Sequence, residues 1–257
     1  MALMLMLGFI LAGSMTACGH LQSTDRLQPP GLTPPTSLGV EMEGDQQIRI
    51  TLIAGKVFYS FPDVTGLTFF SQYLLDHTTI RDGESVLDLG TGSGIQAIFA
   101  AEKASHVLAT DIDEQALKST LRNAREHHVA DKISVRNSDV FNAIRADEKF
   151  DVIIASLPIA SDVQSEFSWT LYKRFFAAAG SHLNPHGRIY FLSGFLDNLP
   201  RMRDLVVRNK LQIMQLHMDF APLQDLEPMV YVIQHRVEPE KTAEDDSHPV
   251  TTDQGNH

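Results

Sequence analysis

The chain carries a single cysteine, Cys18, in 257 residues. No intrachain disulfide can form, and no cysteine-rich zinc site can be built. Cations are also scarce: 21 Lys and Arg stand against 32 Asp and Glu, a net charge of −11. A field of that sign repels phosphate backbones, which makes free nucleic acid an unfavoured partner without excluding a local basic patch. Two such groups exist, Lys118, Arg122 and Arg125 on one stretch and Arg201, Arg203, Arg208 and Lys210 on another, and both read as solvated helix faces. The histidines show no metal-ligand spacing; His127 and His128 are adjacent and cannot share a helix face, so no metal site is expected. No apolar run reaches the roughly 20 residues that a bilayer-spanning helix needs. No internal repeat is evident.

What is present is the composition of an ordinary globular protein, 43% hydrophobic and 21% charged, long enough to bury a sizeable core. The ends differ from the middle. Ala2 to Gly13 is almost wholly apolar and has the length of a signal-peptide hydrophobic region. Met15-Thr16-Ala17-Cys18 follows it and resembles the lipobox of bacterial lipoproteins, with Met15 where Leu is usual and no cation ahead of the apolar run. The resemblance implies a lipid anchor at Cys18 and a membrane-anchored lipoprotein. The alternative is an N-terminal helix packed on the domain and a cytoplasmic protein. Residues 19–46, with Pro29-Pro30 and Pro34-Pro35, read as a flexible linker, and residues 238–257 as a disordered acidic tail.

Between the ends, residues 47–237 read as one domain. Val86-Leu87-Asp88-Leu89-Gly90-Thr91-Gly92-Ser93-Gly94 is its most informative stretch. An apolar run reads as a buried parallel strand, and glycines at every second position let the backbone turn and approach a ligand closely. Ile95 to Lys103 reads as the following helix. The spacing D-x-G-x-G-x-G differs from the G-x-G-x-x-G of dinucleotide binders, which argues against a nucleotide-dependent oxidoreductase. It resembles the first motif of the Rossmann-like S-adenosylmethionine (SAM) methyltransferases. That resemblance implies SAM as cofactor, held by Asp88, Gly90, Thr91, Gly92 and Gly94, with an acid facing the cationic amino end of its methionine part.

Strand and helix patterns alternate on either side of this loop. Ile48–Ile53 and Lys56–Ser60 read as short strands and Thr65–His77 as a helix with Leu67, Phe70 and Leu74 inward. Strands follow at Ser85–Leu89, His106–Thr110, Lys132–Arg136, Phe150–Ala155 and Arg188–Ser193. Helices are expected at Glu114–His127, Val140–Ala146, Asn198–Arg208 and Gln164–Leu183, the last with Phe167, Leu171, Phe175 and Ala178 in line. Leu211–Met218 and Met229–Arg236 close the chain as strands with no helix between them. Repeated βα units imply a mostly parallel sheet, and the last pair an antiparallel closing hairpin. The fold class is α/β: a Rossmann-like, seven-stranded methyltransferase sheet.

Three strand ends supply the remaining site residues. Asp111 ends the second strand of the motif, 21 residues past Gly90, where an acid holds a ribose diol; Ile112 lies beside it, and Asp113 fits the N-cap of the next helix better. Asp139, after the third strand, stands where related enzymes receive the adenine amino group, with Val140 against the ring. The fourth strand ends in Ser156-Leu157-Pro158-Ile159. Methyltransferases acting on planar nitrogens often read Asn-Pro-Pro-Tyr here, so Ser156 and Pro158 are expected to face the substrate while the nitrogen class of acceptor is put in doubt. Val57 to Pro62 and Gly187 to Leu196 resemble segments of the release-factor, ribosomal RNA and ribosomal-protein methyltransferases, and the likeness runs from Phe58 to Arg236. The expected function is methyl transfer by in-line displacement, which needs no metal, to a protein or small molecule rather than nucleic acid. The rival is a SAM-binding sensor or scaffold without catalysis. Tyr59, Asp63, Tyr172 and His182 are candidate bases to which no role is assigned.

Overall fold

In a computed structural model, the described residues are 34–159, 165–219 and 228–237. The signal-like segment 1–18, Cys18 and the acidic tail 238–257 lie outside them. No helix among the described residues is long and apolar enough to cross a membrane.

Seven strands form the main sheet: β4 (Ser85–Leu89), β5 (His106–Asp111), β6 (Ile133–Asn137), β7 (Phe150–Ala155), β8 (Leu183–Ser193), β9 (Leu211–Met218) and β10 (Met229–His235). Their order is β6-β5-β4-β7-β8-β10-β9. The pairs from β6 to β8 are parallel, and β10 runs antiparallel to both β8 and β9. The doubly wound sheet and closing hairpin read from the sequence are therefore present. The chain leaves β4 toward β5 and β6, then returns to β4's other side as β7. That reversal opens a crevice beyond the carboxyl ends of β4 and β7, the place where open α/β sheets bind ligands.

Strand alternation sorts the two faces. Leu87 and Leu89 of β4, Ile153 and Ala155 of β7 and Ile189 and Phe191 of β8 share one core with α4 (Ser165–Ala179) and α5 (Leu199–Arg208). Phe191 lies with its ring centroid 4.8 Å from Tyr172, 5.2 Å from Phe175 and 5.0 Å from Phe176. The core stripe of α4 is thus Trp169, Tyr172, Phe175, Phe176 and Ala179. Of the expected stripe, Phe175 lies in this core and Leu171 and Ala178 pack against it, while Phe167 is 67% exposed; Phe167 and Leu171 also line a cavity. The helix also ends early, at Ala179, and a 3-10 turn at Gly180–His182 leads into β8.

On the opposite face lie α1 (Phe69–Asp76), α2 (Ile95–Ala101) and α3 (Glu114–Glu126). Asp113 caps α3 by accepting the Gln115 N–H at 2.8 Å, as its sequence position suggests. Helix α1 starts only at Phe69; residues 65–68, expected as its first turn, form a loop ending at the N-cap Thr68. No helix forms at 140–146. Val140 sits at φ 55°, and Ser138 Oγ donates to Val140 O and accepts the Ala143 N–H, so the segment closes as consecutive turns.

A second sheet of three antiparallel strands, β1 (Thr36–Glu43), β2 (Gln46–Ile53) and β3 (Lys56–Ser60), corrects the linker expectation: its last residues are a paired strand. What holds them is Arg122, which forms ion pairs with Glu41 and Glu43 and stacks 4.0 Å from the Tyr59 ring. Arg122 is accordingly an anchor and not part of a solvated face. Asn123 completes the attachment, donating to Tyr59 O and accepting the Tyr59 N–H, both at 2.8 Å.

Candidate active site

A cavity of about 470 Å³ fills the crevice at the β4/β7 switch point. That is within the usual range of small-molecule sites. Its floor is the glycine loop. Gly90 N–H and Thr91 N–H both donate to Thr110 O, at 2.9 and 3.0 Å, and Gly94 N–H donates to Thr91 O at 2.8 Å. Gly90, Gly92 and Gly94 all have positive φ, and Gly94 caps α2 in the left-handed region. At Gly90 the need for glycine is also steric: a Cβ there would lie 2.8 Å from Ser156 O. The loop and the Ser156 turn thus meet backbone to backbone, joined by Ser156 N–H donating to Leu89 O at 3.2 Å.

Asp88 is not on the cavity wall, which corrects its expected place. It is fully buried beneath the loop, on the α2 side of the sheet, because alternation along β4 points it away from the α4 core. Its Oδ2 accepts Thr91 Oγ1 at 2.7 Å and Ala97 N–H at 3.1 Å, while Oδ1 has no hydrogen-bond partner. Burial pushes its carboxyl up to about 7; the bonds from Thr91 and Ala97 oppose this and the charge of Asp111 adds to it. Asp88 braces the loop from below.

The other residues predicted from the sequence, Gly90, Thr91, Gly92, Asp111, Ile112, Asp139, Val140, Ser156 and Pro158, all line the cavity; Gly94 lies at the loop's end under α2. Asp111 accepts Gly92 N–H through Oδ2 and Asp113 N–H through Oδ1, each at 3.0 Å. Two of its four lone-pair positions are so occupied and two are left for a ligand. Ile112 is 67% exposed beside it. Asp139 is held by Arg174 of α4, Nη2 to Oδ2 at 2.8 Å.

Several wall residues escape sequence reasoning. The loop from Asp63 to Thr68 and the first turn of α1 cover one side, and Phe167, Leu171 and Leu192 the other. Arg49, which donates to Val64 O, and Ser119, whose Oγ accepts Phe61 N–H at 2.9 Å, hold that loop in place. Asn123 Nδ2 also donates to Ser93 O at 2.8 Å, tying the glycine loop to the small sheet. Ser93 and Gln96 belong to the wall, but Ser93 Oγ and Gln96 Oε1 are buried away from its surface and have no hydrogen-bond partner. Of the candidate bases, Tyr172 and His182 are buried in structural packing and Tyr59 lies under Arg122; only Asp63 reaches the cavity.

A family model, "Methyltransferase small domain", matches residues 65–211, from the covering loop to the start of β9. The chain belongs to this methyltransferase family. Its members use SAM as cofactor. A ribosomal protein L11 methyltransferase of Lactobacillus gasseri is 36% identical over 130 residues, 50% of this chain and 37% of that protein. The homologue from Caldicellulosiruptor bescii is 36% identical over 142 residues, 53% and 41% of the two chains. The chain spans about two fifths of the length of these curated relatives. Among solved structures, the ribosomal protein L11 methylase of Lactobacillus delbrueckii subsp. bulgaricus superposes with a TM-score of 0.52 at 24% identity, covering 66% of this chain and 78% of that one. At that identity the likeness shows the fold.

The cavity fits the family's cofactor on its own chemistry. It offers a carboxylate with open lone pairs at Asp111 and a glycine cradle in which a side chain at Gly90 has no room.

Proposed function

We propose that the chain transfers the methyl group of SAM to a protein or small-molecule acceptor in preference to a nucleic acid. The sign of the cavity carries this reading. Its titratable wall residues among those described are all aspartates, Asp63, Asp111, Asp113 and Asp139, of which Asp139 is paired with Arg174. Such a wall favours a cationic cofactor with a neutral or amine-bearing acceptor, and disfavours a phosphate-bearing one. The relatives named for ribosomal protein L11 support a protein acceptor.

In this reading Asp111 takes the ribose diol through its open lone pairs, Asp139 takes the adenine amino group, and Ile112 and Val140 flank the ring. Gly90 to Gly94 lie along the methionine part. Ser156 and Pro158 face the acceptor. The cofactor supplies a methyl group on a positive sulfur, whose departure as a neutral thioether calls for no metal. The work of the protein is alignment and exclusion of water. Leu157, Ile159, Phe167, Leu171 and Leu192 give the acceptor half an apolar wall, and alignment of this kind is worth up to about 7–11 kcal/mol.

The experiment is methyl transfer from SAM carrying a tritiated methyl group to a bacterial lysate, separated into protein, nucleic acid and small molecules. Label is expected in the protein or small-molecule fraction and at least about tenfold less with Asp111→Ala, since a hydrogen bond to a charged group is worth about 1.5–3 kcal/mol. Label confined to nucleic acid would overturn the acceptor reading. The second reading, a SAM-binding sensor without catalysis, rests on Ser156-Leu157-Pro158-Ile159 in place of Asn-Pro-Pro-Tyr, and predicts SAM binding with no label transferred.

A further inference from the structure

Helix α4 presents two different faces. Trp169, Tyr172, Phe175 and Phe176 pack on the sheet, while Phe167 and Leu171 line the cavity. Arg174 continues the cavity face, since 167, 171 and 174 follow the spacing that stacks residues on one side of a helix. Its guanidinium, though part-exposed, is tied down on one side. It donates to Asp139 Oδ2 at 2.8 Å and approaches Asp139 O at 3.5 Å. Asp139 lies on the turn segment that follows β6, while α4 follows β7. The ion pair therefore bridges two neighbouring sheet connections across the end of the cavity.

We infer that Arg174 is a positioning residue that sets the purine selectivity of the cofactor site. The inference rests on the reading that Asp139 meets the adenine amino group. Arg174 grips one carboxylate oxygen and keeps the group aimed. The remaining lone pairs then form a fixed surface that only accepts hydrogen bonds. Such a surface pairs with the 6-amino group of adenine and opposes the 6-keto oxygen of hypoxanthine, because two acceptors then face each other. Without the guanidinium the carboxylate is free to turn away, and the discrimination falls. Arg174 does not touch the reacting atoms, and its effect belongs to binding.

Titration calorimetry with S-adenosylhomocysteine and S-inosylhomocysteine on the full chain tests this without any acceptor. The parent protein is expected to prefer the adenosyl ligand by roughly tenfold or more, the equivalent of one charge-assisted hydrogen bond. Arg174→Gln is expected to cut that ratio at least about threefold, Arg174→Lys to restore most of it, and Arg174→Gln to add nothing once Asp139→Asn is present. Both side chains are about 40% exposed, 42% for Arg174 and 39% for Asp139, so the variants keep the core intact, and a thermal melt checks it. If Asp139→Asn collapses the ratio and Arg174→Gln leaves it unchanged, the role of Arg174 is overturned and the adenine reading stands. If neither changes the ratio, both are overturned.

Discussion

Replacing Gly90 with alanine is expected to weaken SAM binding by about a hundredfold or more, measured by titration calorimetry, and to abolish methyl transfer with it. Two costs add. The backbone at φ 78° strains any L-residue, at about 1–2 kcal/mol. The new methyl carbon then meets Ser156 O at 2.8 Å, and a backbone carbonyl tied through Ser156 N–H to Leu89 cannot swing aside as a side chain can. To relieve the contact, the glycine loop and the Ser156 turn must separate. Those are the cofactor and acceptor sides of the cavity in the proposed reading, so one carbon atom would disturb both. Gly92→Ala is the control. Its φ of 55° carries similar strain, but nothing lies within 4 Å of the added carbon. Its loss is expected to stay near the tenfold that about 1.4 kcal/mol represents. Equal losses at the two positions would mean that the contact with Ser156 plays no part.

The second large effect concerns pH and stability. Unfolded, Asp88 titrates near the ordinary value of about 3.9. Folded, it holds its proton to about 7, because ionising a carboxyl with no water around it is costly. Between these values the native state binds one proton more than the unfolded chain. The contribution of Asp88 is fully present below pH 4 and is lost as pH rises through 7, at up to about 1.4 kcal/mol per pH unit. Asp88→Asn removes the titration and keeps a carbonyl oxygen to accept from Thr91 and Ala97. Urea unfolding of both proteins from pH 5 to pH 8 should therefore show the variant gaining on the parent as pH rises to 7, by a total of about 2–3 kcal/mol over pH 5–7. His217, pushed down by burial beside His77, titrates with the opposite sign in both proteins and cancels in the difference. Glu148, held at about 2 by Arg136, titrates below the window. Parallel profiles would show that Asp88 is ionised when folded.

These two residues also show how far the sequence could be read. The strand, the glycine turn and the three carboxylates beyond it lie in short, contiguous stretches whose pattern states their geometry. β4, β7 and β9 accordingly keep the bounds expected for them. Asp88 was placed with its neighbours on the cavity because a motif does not say to which side of the sheet each residue points; alternation along a buried strand decides that, and here it puts the acid under α2. Helix α4 fails for a related reason. Periodicity finds an apolar face, but this helix has two, one against the sheet and one along the cavity, and spacing alone does not tell them apart. β1 reads as a linker from sequence because Pro29-Pro30 and Pro34-Pro35, with Gly, Ser and Thr around them, are loop residues. Its strand partner β2 is the next element, but its side-chain anchor, Arg122, lies about 80 positions away in the chain. Arg174 acts across 35 positions and Asn123 across 64 and 30, and no local pattern announces them.

The central claim is that the crevice at the β4/β7 switch point binds SAM. Its most direct test is calorimetric titration of the full chain with SAM alongside the Gly90→Ala variant, both first shown to be folded. The account predicts saturable binding of one SAM per chain in the parent and little or none in the variant. A folded parent that gives no binding heat at millimolar SAM would contradict it.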